Sequence, residues 1–195
     1  MKDLDSKKVW SLGLNPMPDD KNYNITYEFG HAKYVHKSDE IEQTLEIFVP
    51  KEDSVKVQIL TLKNTSLNRK RVKLVYYAKP VLGEDEIKSN GHIDLKYDSN
   101  NNIICVQSLY NTEFKDDIIY VSNSEKIKSY TGDKNYFLGT GGLSNPDGLK
   151  QNNLNNENSL GKKPCIAYEI EIDLESFGEK EIIFMLGAEE SIIES

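Results

Sequence analysis

The sequence predicts an all-β fold of antiparallel strands, either a sandwich or a barrel. Apolar and polar residues alternate with a period of two over eight segments, which is typical of strands with one face in a core. Clusters of turn-forming residues separate these segments, and no segment shows an apolar stripe of helical spacing over three turns. Short strands joined by turns indicate antiparallel pairing rather than alternating strands and helices.

The strand patterns follow one another along the chain. In the segment 41–49, one face carries Ile41, Gln43, Leu45, Ile47 and Val49. The same alternation predicts strands at residues 55–62, 71–78, 92–97, 102–110, 117–122, 165–174 and 181–187. A short helical turn is expected at residues 147–149. The Asn-rich stretch 144–161 lacks periodicity, which predicts a long surface loop packed against something outside the chain.

Length, charge, apolar content and cysteine content limit the classes of protein to which the chain can belong. A chain of 195 residues fits one domain with a sizeable core, residues 1–195. The formal net charge is −8, and the one basic cluster, residues 67–74, is expected to be a solvated turn, which argues against nucleic acid binding. No window approaches the roughly 18 apolar residues of a membrane span. Cys105 and Cys165 lie in apolar runs, which predicts buried free thiols and a reducing, cytoplasmic setting.

The stretch 136–148 holds four glycines and one proline, as phosphate-binding loops often do. A dinucleotide fingerprint requires a third glycine where Ser144 stands, and a Walker loop requires a Lys-Ser or Lys-Thr pair that is missing. Neither motif has its strand–loop–helix setting here. The glycines therefore predict tight turns rather than a cofactor site.

The sequence predicts no catalytic or metal-binding cluster. His31 and His36 are five apart in extended chain, which places them on opposite faces of a strand, and His92 is solitary. The acids at 84–86 and 116–117 are direct neighbours, so they are expected to be solvated turn charges. We therefore expect no metal, no cofactor and no active site in this chain.

Aromatic residues are concentrated near the start of the chain, interleaved with asparagines and a histidine. They are Trp10, Tyr23, Tyr27, Phe29 and Tyr34. Sugars present apolar C–H faces and hydroxyl edges, so a site for them combines aromatic platforms with amide or imidazole groups. Two interpretations stay open, a carbohydrate site or the ordinary packing of aromatic residues in a β-protein.

Five motifs, taken in order, resemble one family. Residues 2–18 (KDLDSKKVWSLGLNPMP) are similar to its R-D-x-x-T-G-x-x-W-S-P-x-x-x-P region, and residues 29–66 resemble its F-G-Y-x-x-F, F-V-P-x-D-x-V-K-I and L-x-N-x-S string. Residues 71–83 look like R-x-L-x-V-x-x-Y-x-E-x-V-L-G, residues 136–149 like F-x-G-x-G-x-x-x-x-P, and residues 164–187 like P-C-x-A followed by F-x-L-G. The family is glycoside hydrolase family 94, which contains cellobiose phosphorylase-like enzymes and cyclic β-1,2-glucan synthases. Each motif alone is weak, whereas the ordered set is specific.

The sequence departs from the family pattern at a few positions. Tyr27 and Glu28 stand where the family has His-Gly, His31 replaces a tyrosine, and Lys79 replaces an acid. These departures place the resemblance closer to the synthase branch than to cellobiose phosphorylase itself.

The resemblance implies the family's N-terminal domain, a galactose mutarotase-like β-supersandwich. Family members have further strands before the motif at Trp10, so a partial domain is expected here. In the family, this domain precedes an (α/α)6 barrel that carries the catalytic aspartate and the phosphate site. No barrel is expected within residues 1–195, which makes it a missing partner. The glycine loop then becomes a docking element, with residues Phe137, Gly139, Gly141, Gly142 and Pro146.

The implied function is that of a carbohydrate-associated, non-catalytic β-sandwich domain in a glycoside phosphorylase or a glucan-processing glycosyltransferase. Its ligand would be a β-glucan or a glucooligosaccharide, and the candidate binding residues are Trp10, Tyr27, His31 and Tyr34. One alternative is a structural or oligomerisation module, such as a homodimer interface, without sugar affinity. Another is a mutarotase-like enzyme, which needs a paired histidine and glutamate in one cleft.

Overall fold

The computed structural model describes residues 1–110 and 116–190; residues 111–115 and 191–195 of the predicted domain lie outside this description. The strands are β1 (Lys2–Asp3), β2 (Tyr23–Glu28), β3 (His31–Ser38), β4 (Ile41–Phe48), β5 (Val55–Asn64), β6 (Lys70–Ala78), β7 (Ile93–Asp98), β8 (Ile103–Ser108), β9 (Asp117–Asn123), β10 (Ser129–Asp133), β11 (Pro164–Leu174) and β12 (Glu179–Glu190). Two short α-helices, α1 (Glu86–Ser89) and α2 (Lys134–Leu138), and a 3₁₀ helix (Asp147–Lys150) complete the described elements.

The strands form two antiparallel sheets that pack face to face. The small sheet has the strand order β1-β6-β11-β10, and the large sheet has the order β2-β3-β4-β5-β12-β9-β8-β7. One hydrophobic core joins the inner faces of the two sheets, for example through Leu74 and Ile170 of the small sheet and Leu60 and Ile182 of the large sheet. The predicted all-β class is confirmed, and the arrangement is a sandwich rather than a barrel.

All eight strands predicted from alternation are present, with small displacements at their ends. In β4, Ile41, Gln43 and Leu45 are buried as predicted, whereas Val49 lies beyond the strand and is 61% exposed. Strands β1, β2, β3 and β10 were not predicted from alternation, because they are short or carry polar residues on both faces. The helical turn predicted at residues 147–149 is the 3₁₀ helix.

Asn64 shows how one motif residue holds the sandwich together. Its side chain is fully buried at the end of β5, where Nδ2 donates to the carbonyl oxygens of Asn68 at 2.7 Å and Glu175 at 2.9 Å. Its Oδ1 accepts from the backbone N–H of Ser66 at 2.9 Å. A buried amide with its polar atoms paired is stabilising, and here it connects two turns that are distant in sequence.

The outer face of the small sheet carries a second, smaller core. Val75 and Tyr77 of β6 and Cys165 and Ala167 of β11 point to this face. Residues 134–161 cover it, and their Phe137 and Leu154 pack on the strands. Residues 144–161 were predicted to be a surface loop packed against something outside the chain, but their buried Leu154 contacts the chain's own sheet. The small sheet is therefore apolar on both faces.

Candidate functional site

Trp10, the first candidate for sugar binding, lies inside the sandwich. It is 1% exposed, and its Nε1–H donates to Oε1 of Gln43 at 2.9 Å. Gln43 in turn donates from Nε2 to the carbonyl oxygen of Leu12 at 2.8 Å, which fixes the N-terminal segment on β4. A ring so enclosed offers no face to a sugar, so Trp10 is a packing residue in this structure.

Tyr27 and Tyr34 form an aromatic pair at the end of the β2–β3 hairpin. Their ring centroids lie 6.1 Å apart at an interplanar angle of 88°, and their hydroxyl oxygens are 3.4 Å apart. Tyr27 is 71% exposed, whereas Tyr34 is half-buried against the core. The hydrogen bond with Tyr27 raises the pKa of Tyr34, and burial raises it further. These two rings can act as a platform for a ligand.

His31 does not join this pair, because it lies on the opposite face of the large sheet. In the β3–β4 register, His31 is opposite Phe48, whereas Tyr34 is opposite the buried Leu45. Its Nε2 is 3.5 Å from Oε2 of Glu46 on the outer face. The four predicted sugar-binding residues therefore separate into a buried tryptophan, an accessible tyrosine pair and an outward histidine. The His31 and Glu46 side chains are each about one-third exposed.

A buried polar cluster, which the sequence did not predict, supports the hairpin from below. His36 stacks on Tyr23 with ring centroids 3.8 Å apart, its Nδ1 lies 2.9 Å from the carbonyl oxygen of Asn22, and its Nε2 lies 3.2 Å from Oδ1 of Asp19. Burial acts to raise the pKa of Asp19, but hydrogen bonds from the Ser38 hydroxyl, the Lys21 amide and Lys8, together with the charge of His36, lower it to about 2. Asp19 is in an irregular segment, so no periodic signal pairs it with His36.

The contribution of Asp19 to the stability of the domain depends on pH. Because its pKa falls from 3.8 to about 2 on folding, its contribution is complete above pH 4 and is lost as the pH falls through about 2. Asp19→Asn should lower the free energy of unfolding at pH 7 by about 1.5–3 kcal/mol and flatten the stability profile between those pH values. Urea unfolding across that range measures this effect. Asp20→Asn, at an exposed neighbour, is the control and should preserve the profile of the unmodified chain.

The glycine loop is folded against its own chain. Phe137 is buried and stacks on Tyr77 of β6 with ring centroids 5.2 Å apart, and Pro146 is also buried. Gly139 has a φ of +54° and ends α2, and a Cβ there would lie 1.7 Å from the Asp147 side chain.

Two further glycines shape the same loop. A Cβ on Gly141 would lie 1.9 Å from the carbonyl oxygen of Asn145, so only glycine allows this close backbone approach. Gly142 has a φ of +61° and faces open space. The prediction of tight turns is confirmed. Docking of this loop on another domain stays a prediction.

The basic run at residues 67–74 was expected to be a solvated turn, and this is wrong for Lys73. Lys73 is buried on the outer face of β6, where its Nζ lies 2.7 Å from Oε2 of the fully buried Glu169. The same Nζ donates to the carbonyl oxygen of Asn152 at 2.7 Å. The available sequence signal is the apolar content of both faces in residues 71–78, which indicates a strand covered on both sides.

Ser129 extends this ion pair into the Asn-rich segment. Its hydroxyl donates to Oε1 of Glu169 at 2.7 Å and accepts from the backbone N–H of Leu154 at 2.7 Å. The buried charges are thus paired and hydrogen-bonded, as burial of an ion pair requires. The network fixes residues 151–154 on the small sheet.

A cavity of about 580 Å³, here called the edge cavity, lies beside β6, between the N-terminal segment that contains Trp10 and the glycine loop. Its walls come from the N-terminal segment, both sheets and the glycine loop. They include Trp10, Met17, Leu45, Tyr76, Phe184 and Leu143. The lining is mainly apolar, which is typical of a surface that excludes water when a partner fills it.

The acidic residues Asp85 and Glu86 make local contacts at α1. Asp85 accepts from the Lys88 amide at 2.8 Å and begins α1, and Glu86 pairs with Lys79 and Lys134 at 2.7 and 2.8 Å.

Both cysteines are free. Burial raises the pKa of Cys165 to about 12, and Cys105 is only partly buried. In the ranges 1–110 and 116–190, no three His, Cys, Asp or Glu side chains meet as a metal site, and no helix is long and apolar enough to cross a membrane.

Comparison with known families gives a match along nearly the whole chain. The family described as "Glycosyl hydrolase 94, supersandwich domain" matches residues 1–194. The chain belongs to this family. The glycosyl hydrolase 94 supersandwich accounts for the all-β class and the two antiparallel sheets, and it agrees with the order of the sequence motifs.

Two curated proteins are similar to this glycosyl hydrolase 94 chain. Cyclic beta-(1,2)-glucan synthase NdvB of Rhizobium meliloti (strain 1021) is 21% identical over 167 residues, which cover 85% of this chain and 6% of that protein. N,N'-diacetylchitobiose phosphorylase of Vibrio proteolyticus is 21% identical over 195 residues, covering 96% of this chain and 24% of that protein. A solved polysaccharide lyase is 10% identical, with a TM-score of 0.48, over 82% of this chain and 21% of that one. The chain thus spans less than a quarter of the length of both curated relatives.

Proposed function

We propose that this chain is a non-catalytic, carbohydrate-associated β-sandwich domain of a longer glycoside phosphorylase or glucan-processing glycosyltransferase. The observation that carries the proposal is the family match over residues 1–194, shared with a glucan synthase and a phosphorylase. In this proposal, glycosyl transfer takes place in another part of the longer protein. The sandwich supports that part and borders its substrate.

The geometry favours the Tyr27–Tyr34 pair as the place of sugar contact. Tyr27 exposes most of its side chain, and Tyr34 is half-buried and packs against the main core. A ring fixed in this way loses little side-chain entropy when a sugar stacks on it. The two hydroxyl groups can exchange hydrogen bonds with sugar hydroxyls, and the proposed ligand is a β-linked glucooligosaccharide.

Calorimetric titration with β-1,2- and β-1,4-glucooligosaccharides tests this proposal. Trp10 fluorescence is a poor reporter, since that side chain is enclosed in the core and only 1% exposed. We expect binding in the millimolar range or tighter, and Tyr27→Ala should weaken it about tenfold, equivalent to about 1.4 kcal/mol. Tyr110→Ala is the control, because Tyr110 is 66% exposed just beyond β8, at the opposite end of the large sheet from β2 and β3. This variant should bind as the unmodified chain does. Absence of heat at millimolar sugar, or equal losses in both variants, would contradict the proposal.

One observation favours the alternative of a structural module. Phe29 occupies the two-residue turn between β2 and β3 and is fully exposed, while Gly30 supplies the positive φ of that turn. An apolar ring at a hairpin tip is suited to contact with another domain. If sugar does not bind, this contact with the rest of the longer protein becomes the favoured function.

A further inference from the structure

The imidazole ring of His36 is enclosed by protein, and both of its nitrogens face oxygen atoms. The side chain is 0% exposed. Nδ1 lies 2.9 Å from the backbone carbonyl oxygen of Asn22, and Nε2 lies 3.2 Å from Oδ1 of Asp19. Because a carbonyl oxygen can only accept a hydrogen bond, Nδ1 must carry a hydrogen.

The second nitrogen, Nε2, decides the charge of the ring. A neutral imidazole carries one hydrogen, which Nδ1 already holds, so Nε2 would present a lone pair to the Asp19 carboxylate. In the described part of the chain, no hydrogen-bond donor satisfies such a lone pair. Burial acts to raise the pKa of Asp19, but hydrogen bonds from Ser38, the Lys21 amide and Lys8 lower it to about 2, so its carboxyl group is ionised at pH 7. A second ring hydrogen turns this repulsive contact into an attractive charge pair.

The groups around the ring can accommodate a positive charge. On the β2 side, the ring stacks on Tyr23 with centroids 3.8 Å apart, and an aromatic face attracts a cation. Burial raises the pKa of Tyr23, so this phenol stays neutral at pH 7. On the β4 side, the uncharged Gln43 is opposite His36 in the register. In the N-terminal segment, Lys8 lies 3.1 Å from Oδ2 of Asp19, so the two carboxylate oxygens face two different cations.

His36 also contacts both strands that carry the tyrosine pair. It lies on β3 two residues after Tyr34, on the same inner face, and its stacking partner Tyr23 begins β2 four residues before Tyr27. Asp19 belongs to the segment that leads into β2. The ring therefore connects this segment, β2 and β3 at the base of the hairpin.

We propose that His36 is an imidazolium at pH 7 and is a positioning residue for the Tyr27–Tyr34 pair, so that loss of one ring proton loosens the hairpin. The proton passes from Nε2 to water or hydroxide as the pH rises, and a lone pair is left beside the ionised Asp19 carboxylate. Their repulsion separates the segment around Asp19 from β3, and β2, which follows this segment directly, shifts against β3. The sugar-binding role of the pair rests on the proposed function, whereas the charge of His36 does not.

NMR of the full chain, labelled with nitrogen-15 in its histidine rings, tests the charge of His36 directly. At pH 7 we expect hydrogens on both Nδ1 and Nε2, with slow exchange because the ring is enclosed. Asp19→Asn should remove the Nε2 hydrogen and keep the one on Nδ1, because no carboxylate then favours the positive charge. Asp20→Asn, at an exposed neighbour, is the control and should leave both hydrogens in place.

The positioning role is tested in the same samples through the contact between the Tyr27 and Tyr34 rings. As the pH is raised until the Nε2 hydrogen is lost, the nuclear Overhauser effect between these rings should weaken in parallel. The stacked Tyr77 and Phe137 rings are the internal control, and their contact should persist over the same range. This titration needs no variant, so it decides the question even where Asp19→Asn does not fold.

Two results would overturn the proposal. A single ring hydrogen on His36 at pH 7 would mean that the ring is neutral. An unchanged contact between the tyrosine rings after loss of the Nε2 hydrogen would mean that His36 does not position the pair. If both NMR results are as expected but no sugar binds, the proposed ligand is contradicted and the role of His36 stands.

Discussion

Lys73→Met is expected to lower the free energy of unfolding by about 3–5 kcal/mol, because it leaves the buried Glu169 carboxylate without its cation. Glu169→Gln should cost a similar amount, since it leaves the buried ammonium unpaired. Their double replacement, Lys73→Met with Glu169→Leu, should cost less than the sum of the single changes, because no isolated charge remains. Equilibrium urea unfolding gives these values.

The control for this prediction lies on the same strand. Arg71 also pairs with an acid, Asp5, at 3.0 Å, but both side chains are about half exposed. Such pairs contribute little, so Arg71→Met should change the free energy of unfolding by about 0–1 kcal/mol. If Lys73→Met is no more destabilising than Arg71→Met, the network does not hold the Asn-rich segment on the small sheet.

Trp10→Ala is expected to cost about 3–5 kcal/mol, because it removes a large enclosed ring from the main core. Gln43→Leu keeps the ring but removes the acceptor of its Nε1–H, and should cost about 1–3 kcal/mol. Urea unfolding followed by circular dichroism measures both changes. In the Gln43→Leu chain, the emission of the single tryptophan reports the same transition.

Phe29→Ala serves as the comparison for Trp10, since it removes an aromatic ring that packs on nothing. A change within about 0.5 kcal/mol is expected. The packing role of Trp10 would be contradicted if Trp10→Ala changed the free energy of unfolding only slightly and abolished sugar binding. Trp10 would then be a sugar-binding residue.

Strand alternation was sufficient to predict most of the fold. Residues 181–187 have a period-two pattern and belong to the long strand β12. Residues 165–174 form β11, which is buried on both faces along most of its length and was still recognisable from its many apolar and β-branched residues. β10 was missed because its small and polar residues face a loop that covers it, so no apolar pattern marks it. The Asn-rich segment was misjudged for the same reason: its contacts are hydrogen bonds and a few buried leucines, and neither has a period.

The candidate site was predictable only in part. Aromatic content near the N-terminus identified Tyr27 and Tyr34, but it could not separate them from Trp10, whose burial depends on its distant contact with Gln43. The face of His31 followed from its odd spacing relative to His36, which is buried. The Lys73–Glu169 pair and the edge cavity arise from residues far apart in sequence, and no local pattern encodes such contacts.

Four motif residues of this glycosyl hydrolase 94 chain have similar structural roles. Trp10, Asn64, Gly141 and Cys165 are all set within turns or cores, and none presents a reactive group to solvent. These four residues thus act in folding. The proposed ligand contact involves Tyr34, which stands within the motif region 29–66, and Tyr27, two residues before it.

NMR mapping of backbone amides during a glucooligosaccharide titration tests the central claim most directly. We expect saturable shifts that centre on Tyr27 and Tyr34, with little change at Trp10 or in the glycine loop. Titration of the Tyr27→Ala chain should lose these shifts while its other resonances keep their positions. Shifts centred elsewhere, or no shift at millimolar sugar, would contradict the carbohydrate-associated role of this domain.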